Sequence, residues 1–526
     1  MFEDPTLLAS IVLQNGDGPS QVDQWGTFLE AVRRTLEPTL LAIIVVGIVL
    51  GLILGAIPGL GAVLGMTIVL PLTIVVDSDI ALVLLVSIYS GALYGASISA
   101  ILVNVPGTVA AAATTFDGYT MTQAGQSREA LETSAAASAL GGSLTMLLLF
   151  VAVPYLIPIV LAFGAPQVFL LALFGIVMIG VIASQDSTFK GITVGLFGVL
   201  VMTIGVSHIT PQVRYTFGVM GLYNGLSIVA ILIGMFALGE MLRIADTPAS
   251  LVKEGASITG KQFDGVRNVL SNKFLTIKSA LIGMVIGAIP GAGAGAANFF
   301  SYTEAVRSSS NPDEFGNANP LGVIAAESSN NSSVAGSLIP VLSFGIPGSA
   351  STAVLLGGFI VHGINPGVEM FTTNLHITYT MILALLLGNV LILGAGLFVI
   401  TRIGSIITDI DTDILIPIIL VFAIIGAIGI RSNWWDLVTV FVFGIIAFYM
   451  KLYNYSVIAL VLGAVLSPII ESNLLRSLQL SQGSPVIFVN DPLSLLLVLL
   501  IVAFLVSSFV WPQLKDDNPF TSRSDR

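Results

Sequence analysis

Long apolar runs follow one another along nearly the whole chain, with short polar segments between them. Most runs are close to the roughly 20 residues that a helix needs to cross a bilayer. The pattern predicts spans near residues 38–56, 80–104, 136–163, 166–184, 188–207, 219–242, 275–297, 322–345, 375–400, 412–429, 434–450, 454–470 and 493–511. Segments 62–76 and 347–361 are too short or too broken to cross alone, which predicts re-entrant segments covered by neighbouring protein. We expect an all-α polytopic membrane protein with about 12 spans.

Composition supports this class. Of the 526 residues, 55% are hydrophobic and 9% are charged, whereas soluble domains carry about 25% charged residues. A transmembrane β-barrel is excluded because its strands alternate apolar and polar residues instead of running apolar for about 20 positions. The net charge of −11 argues against a nucleic-acid partner, and the absence of cysteine excludes disulfides and thiol catalysis. The lipid bilayer is therefore the first partner that the sequence predicts.

Two halves of the chain repeat one unusual pattern. GLILGAIPGLGA at 51–62 recurs as GMVIGAIPGAGA at 283–294, and YGASISAILVNVPGT at 94–108 is echoed by AGSLIPVLSFGIPGS at 335–349. Proline removes a backbone N–H and obstructs the preceding turn, so each Pro-Gly pair should break a helix. Each break exposes the N-terminus of a half-helix, which can bind an anion without an arginine nearby. One break alone is usually a packing kink, but four in two matched pairs predict a midplane site between two structural repeats.

The pattern also divides the chain. The segments are an N-terminal interfacial segment 1–37, a first transmembrane repeat 38–242, a cytoplasmic basic loop 243–278, a second repeat core 279–406, C-terminal membrane helices 407–511 and a polar tail 512–526. Lysine and arginine in the loop predict its cytoplasmic location, and Arg33 and Arg34 predict the same side for the N-terminal flank. That arrangement would make the repeats parallel, but such repeats are more often inverted, and we expect inversion. The apolar spacing around Trp25 fits equally an interfacial helix or an extension of the first span.

Amide side chains stand out among the small polar residues of the predicted spans. Asn330 and Asn331 each carry donors and an acceptor that a helix cannot satisfy locally, so with Asn104 they are candidates for substrate contact. Glu327 is the acid beside them. It could take up a coupling proton, or hold sodium as Asn104 and Ser343 could, or it could cap its helix at the membrane edge. We expect no other metal and no cofactor.

Three other patterns have simpler interpretations. The GxxxG spacings that begin at Gly51, Gly91 and Gly283 predict close helix packing. His362 fits the end of a short segment. Asp117, in TTFDGYT, fits a turn.

At these motifs the chain resembles the large membrane subunit of the tripartite tricarboxylate transporters. The similarity covers about residues 40–400 and includes GAIPGLGAVLGMTIVLPLT, SGALYGASISAILVNVPGT, GAIPGAGAGAANFFSY and AAESSNNSSVAGSLIPVLSFGIPGS. The resemblance implies a secondary active importer of tricarboxylates or other organic carboxylates in the plasma membrane, driven by a sodium or proton gradient. It also implies two partners, a small membrane subunit and an extracytoplasmic solute-binding protein.

Carried over motif by motif, the resemblance places the substrate site on the four broken turns, together with Asn330 and Asn331. The turn residues are Gly59, Gly61, Pro106, Gly107, Thr108, Gly291, Gly293, Pro347, Gly348 and Ser349. One departure concerns the family pattern of an acid followed by Ala-Ala-Asn-Asn. Here Ser328 and Ser329 replace the two alanines after Glu327, which makes the edge of the pocket more polar and allows a different substrate.

Two other classes of function are weaker alternatives. A passive anion channel would favour rings of charge or repeated carbonyl filters, and no such motif is present. A membrane-embedded enzyme would need a cluster of acids, bases or metal ligands. With three histidines and no cysteine, the chain offers little for catalysis. We expect a transporter that is not an enzyme.

Overall fold

The computed structural model describes residues 24–182, 187–207, 212–246, 258–402 and 412–516. The helices are α1 (Gln24–Thr35), α2 (Pro38–Ala56), α3 (Gly61–Val69), α4 (Ser78–Val103), α5 (Thr114–Gln123), α6 (Ser127–Leu161), α7 (Ala165–Ile182), α8 (Thr188–Val201), α9 (Ile228–Asp246), α10 (Asp264–Ser271), α11 (Lys273–Gly287), α12 (Gly293–Ser308), α13 (Pro320–Phe344), α14 (Ala350–Val361), α15 (Leu375–Ile400), α16 (Thr412–Arg431), α17 (Trp434–Leu452), α18 (Val457–Leu480) and α19 (Pro492–Asp516). Two short strands, Gly205–Val206 and Val213–Arg214, pair in antiparallel fashion.

Short 3₁₀ and π segments join or interrupt these helices. The 3₁₀ segments are Leu70–Val75, Val109–Ala111, Met220–Leu222, Pro312–Glu314, Val368–Phe371 and Pro485–Phe488, and the π segments are Ile233–Leu238 in α9 and Gly396–Ile400 in α15. Each of the six predicted segments, 1–37, 38–242, 243–278, 279–406, 407–511 and 512–526, has some residues outside the described ranges.

The all-helical membrane class is confirmed, but the count of about 12 spans is not. Within the described ranges, 8 helices are long and apolar enough to cross a membrane, or 9 if α10 and α11, bent by 80°, form one span. α1 is a separate helix before Pro38, so it is not an extension of the first span. Trp25 is 67% exposed on it, while Phe28 packs against Phe150 and Tyr379.

The segment from α2 to the end of the first 3₁₀ helix is a helical hairpin. Arg34, just before α2, lies 3.9 Å from Asp77 and 2.8 Å from Asp79, both of which follow the returning arm. A Cβ placed on Gly65 of α3 would lie 2.8 Å from the Leu54 side chain of α2, so the two arms pack together. Both feet of this first hairpin therefore lie at one end of the bundle, the Arg34 end, and the returning arm agrees with the re-entrant segment expected at 62–76.

α11 and α12 form a second hairpin. Lys278, near the start of α11, contacts Glu304 at 3.4 Å and Ser308 at 2.6 Å, near the end of α12. The two feet of this hairpin therefore also share one end of the bundle, the Lys278 end.

α4 connects the two ends. Its first turn holds Asp79, and its last turn accepts a 2.8 Å hydrogen bond at Ile101 O from Thr122 of α5. α6 begins just after α5, and there Arg128 N donates to Thr259 O, 2.9 Å away, in the segment that leads into the second hairpin. The hairpins thus enter from opposite ends, and the expectation that Arg33 and Arg34 share a side with loop 243–278 is wrong. α2 is long and apolar enough to cross a membrane, and it is also one arm of the first hairpin.

Small residues let the helices of each half approach closely. A Cβ on Gly51 would lie 2.5 Å from Ile88 O, and one on Gly287 would lie 2.5 Å from Ser333 O. These backbone contacts leave no room for a side chain, so the GxxxG interpretation is confirmed for α2 against α4 and for α11 against α13.

α4 and α13 cross at the centre of the molecule. Asn330 Nδ2 donates to Leu93 O at 3.1 Å, and Ser97 Oγ donates to Glu327 Oε1 at 2.6 Å. The residue number of the contact falls along α4 as it rises along α13, so the two helices are antiparallel.

Candidate functional site

Each hairpin tip docks on a second broken turn in the same way. Gly59 N donates to Gly107 O at 3.4 Å, and Gly291 N donates to Gly348 O at 3.0 Å. The tip glycines have matching positive φ values, 88° for Gly59 and 80° for Gly291. The sequence repeat is therefore also a repeat of local structure.

The second turn of each half follows the same path. α4 ends in the left-handed conformation at Asn104 (φ 59°), and α13 ends likewise at Gly345 (φ 68°). Extended residues follow, Thr108 at φ −143° and Ser349 at φ −153°. Ser349 Oγ accepts from the Thr352 N–H at 3.2 Å and so caps α14. The backbone of the two turns therefore matches, as does their Pro-Gly spacing.

Further contacts join the turns, first within each half and then between the halves. A Cβ on Gly61 would lie 2.6 Å from Thr108 Cγ2, and one on Gly293 would lie 3.4 Å from Ser349 Cβ. Asn298 of α12 donates to Ala110 O, just after the Thr108 turn. The structure thus brings together the turn residues of both halves that the sequence singled out.

The three candidate amides do not lie together. Asn330 and Asn331 are buried between helices, and Asn331 Nδ2 lies 3.4 Å from both Ser90 Oγ and Asn389 Oδ1. In the described part of the chain, neither Oδ1 atom has a hydrogen-bond partner. Asn104 is exposed and ends α4, so the structure does not group it with the other two.

Glu327 is a fully buried carboxylate held by hydroxyl groups from three helices. Oε1 accepts from Ser97 Oγ at 2.6 Å and from Thr114 Oγ1, and Oε2 accepts from Ser138 Oγ at 2.9 Å. The capping interpretation is wrong, because Asn319 caps α13 through Leu321 N at 3.0 Å. A buried carboxylate is costly unless it is hydrogen-bonded or paired with a cation.

Ser343 cannot share an ion with Glu327. It lies more than four turns further along α13, roughly 24 Å away at 1.5 Å per residue. The described residues hold no group of three or more acids or histidines that could ligate a metal.

The charged residues beside the first hairpin tip were not predicted from the sequence as part of the site. A cavity of about 390 Å³ is lined by Gly59, Glu240, Arg243 and Lys451. A Cβ on Gly59 would lie 3.0 Å from Arg243 Nη2, so the expectation of broken turns without an arginine nearby is wrong. The signal was a Glu and an Arg three positions apart in an apolar helix, since charges in spans usually serve a function.

Asp117 lies in helix α5 and not in a turn. Its Oδ1 accepts from Gly316 N and Asn319 N, each at 2.9 Å, and its Oδ2 accepts from Tyr302 Oη at 2.8 Å. Burial raises the pKa of this carboxyl above its usual value. Asp117 therefore anchors the loop before α13. His362 follows α14, 3.2 Å from Thr73 Oγ1, at a helix end as expected.

Comparison with known proteins identifies the family. Residues 41–462 match the model of the tripartite tricarboxylate transporter TctA family. The chain belongs to the TctA family. It is 33% identical over 462 residues to an uncharacterized 52.8 kDa protein in the TAR-I ttuC' 3' region of Agrobacterium vitis, covering 87% of this chain and 91% of that protein. It is 35% identical over 230 residues to an uncharacterized protein in the TAR-II ttuC' 3' region of the same organism, covering 43% and 95%.

No solved structure matches the chain. The TctA family is a transporter family and not an enzyme family. The predictions that the chain is a transporter and that it is not an enzyme are therefore confirmed. Its members are membrane components of tricarboxylate transporters and work in tripartite systems with a second subunit and a solute-binding protein.

Proposed function

We propose that this chain is the membrane subunit of a gradient-driven importer of tricarboxylates or related organic carboxylates. The observation that carries the proposal is the meeting of four broken turns, two of them at the tips of hairpins that enter from opposite ends. Broken helices offer free N–H groups to an anion. Opposed hairpins around one site suit alternating access, in which each half gates one side.

The proposed repeats are inverted. The antiparallel crossing of α4 and α13, which occupy matching positions in the two halves, supports this relation. So do the opposite entry ends of the two hairpins, because a two-fold axis in the membrane plane would exchange those ends.

The Lys278 end is the proposed cytoplasmic face, and the membrane is the proposed plasma membrane. Basic residues cluster at that end, among them Arg128, Arg267, Lys273, Lys278 and Arg402. Short segments rich in lysine and arginine stay in the cytoplasm, which supports the orientation.

Glu327 is the proposed coupling group, for either a proton or sodium. Its carboxylate has no cationic partner in the described part of the chain, and the hydroxyl groups of Ser97, Thr114 and Ser138 donate hydrogen bonds to it. Oxygen atoms without partners lie nearby on the same helix, at Ser328 Oγ and Asn330 Oδ1. Hard cations take oxygen ligands, so this neighbourhood supports a sodium site as well as a protonation site.

Uptake of labelled citrate tests the function, in cells that express the chain with a small membrane subunit and a solute-binding protein. We expect accumulation above the external concentration, lost when the sodium or proton gradient is collapsed. A passive channel would only equilibrate the acid.

Two variants test the assigned residues in the same assay. Asn330→Ala should abolish uptake. Glu327→Gln keeps the side-chain shape but cannot carry the charge that couples, so it should lose accumulation and retain citrate exchange. Normal accumulation in both variants would contradict the assignment. Gly348→Ala is a poor test, because its Cβ would lie 2.7 Å from Gly287 O and disturb the fold.

A further inference from the structure

The cavity at the first hairpin tip contains two cations that share one carboxylate. Glu240 Oε1 accepts from Arg243 Nε at 2.9 Å and from Arg243 Nη2 at 2.5 Å, while Glu240 Oε2 pairs with Lys451 Nζ. In the described part of the chain, no other carboxylate forms an ion pair with either cation. The three side chains therefore have a net charge of +1.

The cations are reachable while the carboxylate is enclosed. The side chains are 44% exposed for Arg243, 25% for Lys451 and 11% for Glu240. Gly59 and Ala350 line the same cavity. They stand at the broken turns that begin α3 and α14, so the partial positive charge of two helix starts adds to that of the cations.

We propose that Arg243 and Lys451 bind a carboxylate group of the transported acid in this cavity, and that Glu240 occupies them when the acid is absent. This inference rests on the proposed function and names a second station for the same substrate. A guanidinium binds a carboxylate through two parallel hydrogen bonds, and lysine adds a point charge. The Glu240 carboxylate already binds both cations, so it occupies the position proposed for a carboxylate of the substrate.

The position of the cavity gives this station a place in the transport path. The first hairpin enters from the Arg34 end, so its tip points toward the Lys278 end, the proposed cytoplasmic face. The acid would meet Arg243 and Lys451 after leaving the broken turns. Return of Glu240 to both cations would then displace the acid and favour its release.

A purely structural role is the competing explanation, in which the three side chains only fasten α9 to α17. The two explanations predict opposite results for Glu240→Gln. As a structural bridge, loss of the carboxylate weakens everything that depends on this contact. As a competitor, its loss frees both cations for the substrate.

The experiment measures citrate binding to the purified full-length chain by the shift of its thermal unfolding midpoint. Arg243→Gln and Lys451→Gln should each raise the half-saturating citrate concentration at least tenfold. Glu240→Gln should lower it several-fold. Arg402→Gln is the matched control, because it removes a positive charge at the Lys278 end outside the cavity, and it should stay within twofold of wild type. Arg243→Lys should restore part of the affinity, since it keeps the charge and loses the fork.

Each contrary result has a separate meaning. If citrate binds wild type and all cavity variants equally, the second station is wrong and the proposed function stands. Weaker binding by Glu240→Gln would support the structural bridge instead. If neither citrate nor other di- and tricarboxylates stabilise wild type, the proposed function fails and this inference fails with it. Should Arg243→Gln not fold, Arg243→Lys and Glu240→Gln still decide the question.

Discussion

At the hairpin tips, the site depends on glycines that hold a left-handed backbone next to other chain segments. Gly59 and Gly291 have φ values of 88° and 80°. A residue with a Cβ pays roughly 1–2 kcal/mol for that conformation. At Gly291 there is a second restriction, because a Cβ would also meet the backbone of Ile179 in α7, with Cα at 2.9 Å.

Gly291→Ala should therefore destabilise the protein more than backbone strain alone explains. Gly218→Ala is the matched control, since Gly218 has a φ of 80° and a Cβ there would have nothing within 4 Å. We expect the alanine at 291 to cost roughly 1–3 kcal/mol more than the one at 218, the usual penalty of overpacking. Thermal unfolding midpoints in detergent provide the comparison. Equal shifts for the two variants would mean that the tip is not tightly docked on α7.

Residue chemistry was predictable from the sequence where it depends on local spacing. The Pro-Gly pairs set the turns at Gly59 and Gly291 by removing N–H groups and allowing positive φ, and the structure places them as expected. Arg243 and Lys451 could not be paired in this way. Glu240 and Arg243 are three residues apart on α9, but Lys451 lies on α17, far along the chain, and only tertiary packing brings it to Glu240.

Among the elements, α5 anchors the loop that precedes α13, the helix that carries Glu327 and Asn330. Asp117 of α5 accepts hydrogen bonds from the loop before α13 and from Tyr302. The backbone N–H groups of that loop would otherwise be left without this acceptor, which costs about 1–3 kcal/mol for each buried group.

Asp117→Ala should lower the free energy of unfolding by roughly 2–4 kcal/mol, because it removes three hydrogen bonds at once. Asp117→Asn keeps an acceptor for the loop and should lose less.

Because burial raises the pKa of Asp117, the folded state holds its proton to higher pH than the unfolded state does. The stabilisation that the Asp117 carboxyl adds to the folded state is therefore fully present below about pH 4. It declines as the pH rises through the pKa of the folded state. Unfolding midpoints of wild type and Asp117→Asn across pH 4–8 measure that decline, and a constant difference between them would contradict it.

Element boundaries were harder to predict than element type. The 19 apolar residues of α2 make it a candidate crossing, but they do not show which segment packs back against it. The contact of Arg34 with Asp77 and Asp79 joins residues on either side of the whole hairpin and identifies α2 as one of its arms. That information lies in pairing between segments, and apolar periodicity does not contain it.

For the whole molecule, the two hairpin tips differ in their surroundings. Gly59 borders the cavity that holds Arg243 and Lys451, whereas Gly291 is covered by Ile179. Under the alternating access proposed above, the two tips would exchange these surroundings as substrate crosses. The described arrangement would then be one end of that proposed cycle, with the first tip accessible and the second covered.

The opposed hairpins also make a direct prediction about sidedness. Asp77 follows the first hairpin and Asn311 follows the second, and both are exposed. The chain has no cysteine, so Asp77→Cys and Asn311→Cys would each introduce a single thiol, and the parent protein is a label-free control. A membrane-impermeant maleimide should label Asp77→Cys in intact cells, but Asn311→Cys only after permeabilisation. Labelling of both thiols from one side would contradict the inverted relation of the repeats. The reverse pattern would preserve inversion and place the Lys278 end outside the cell.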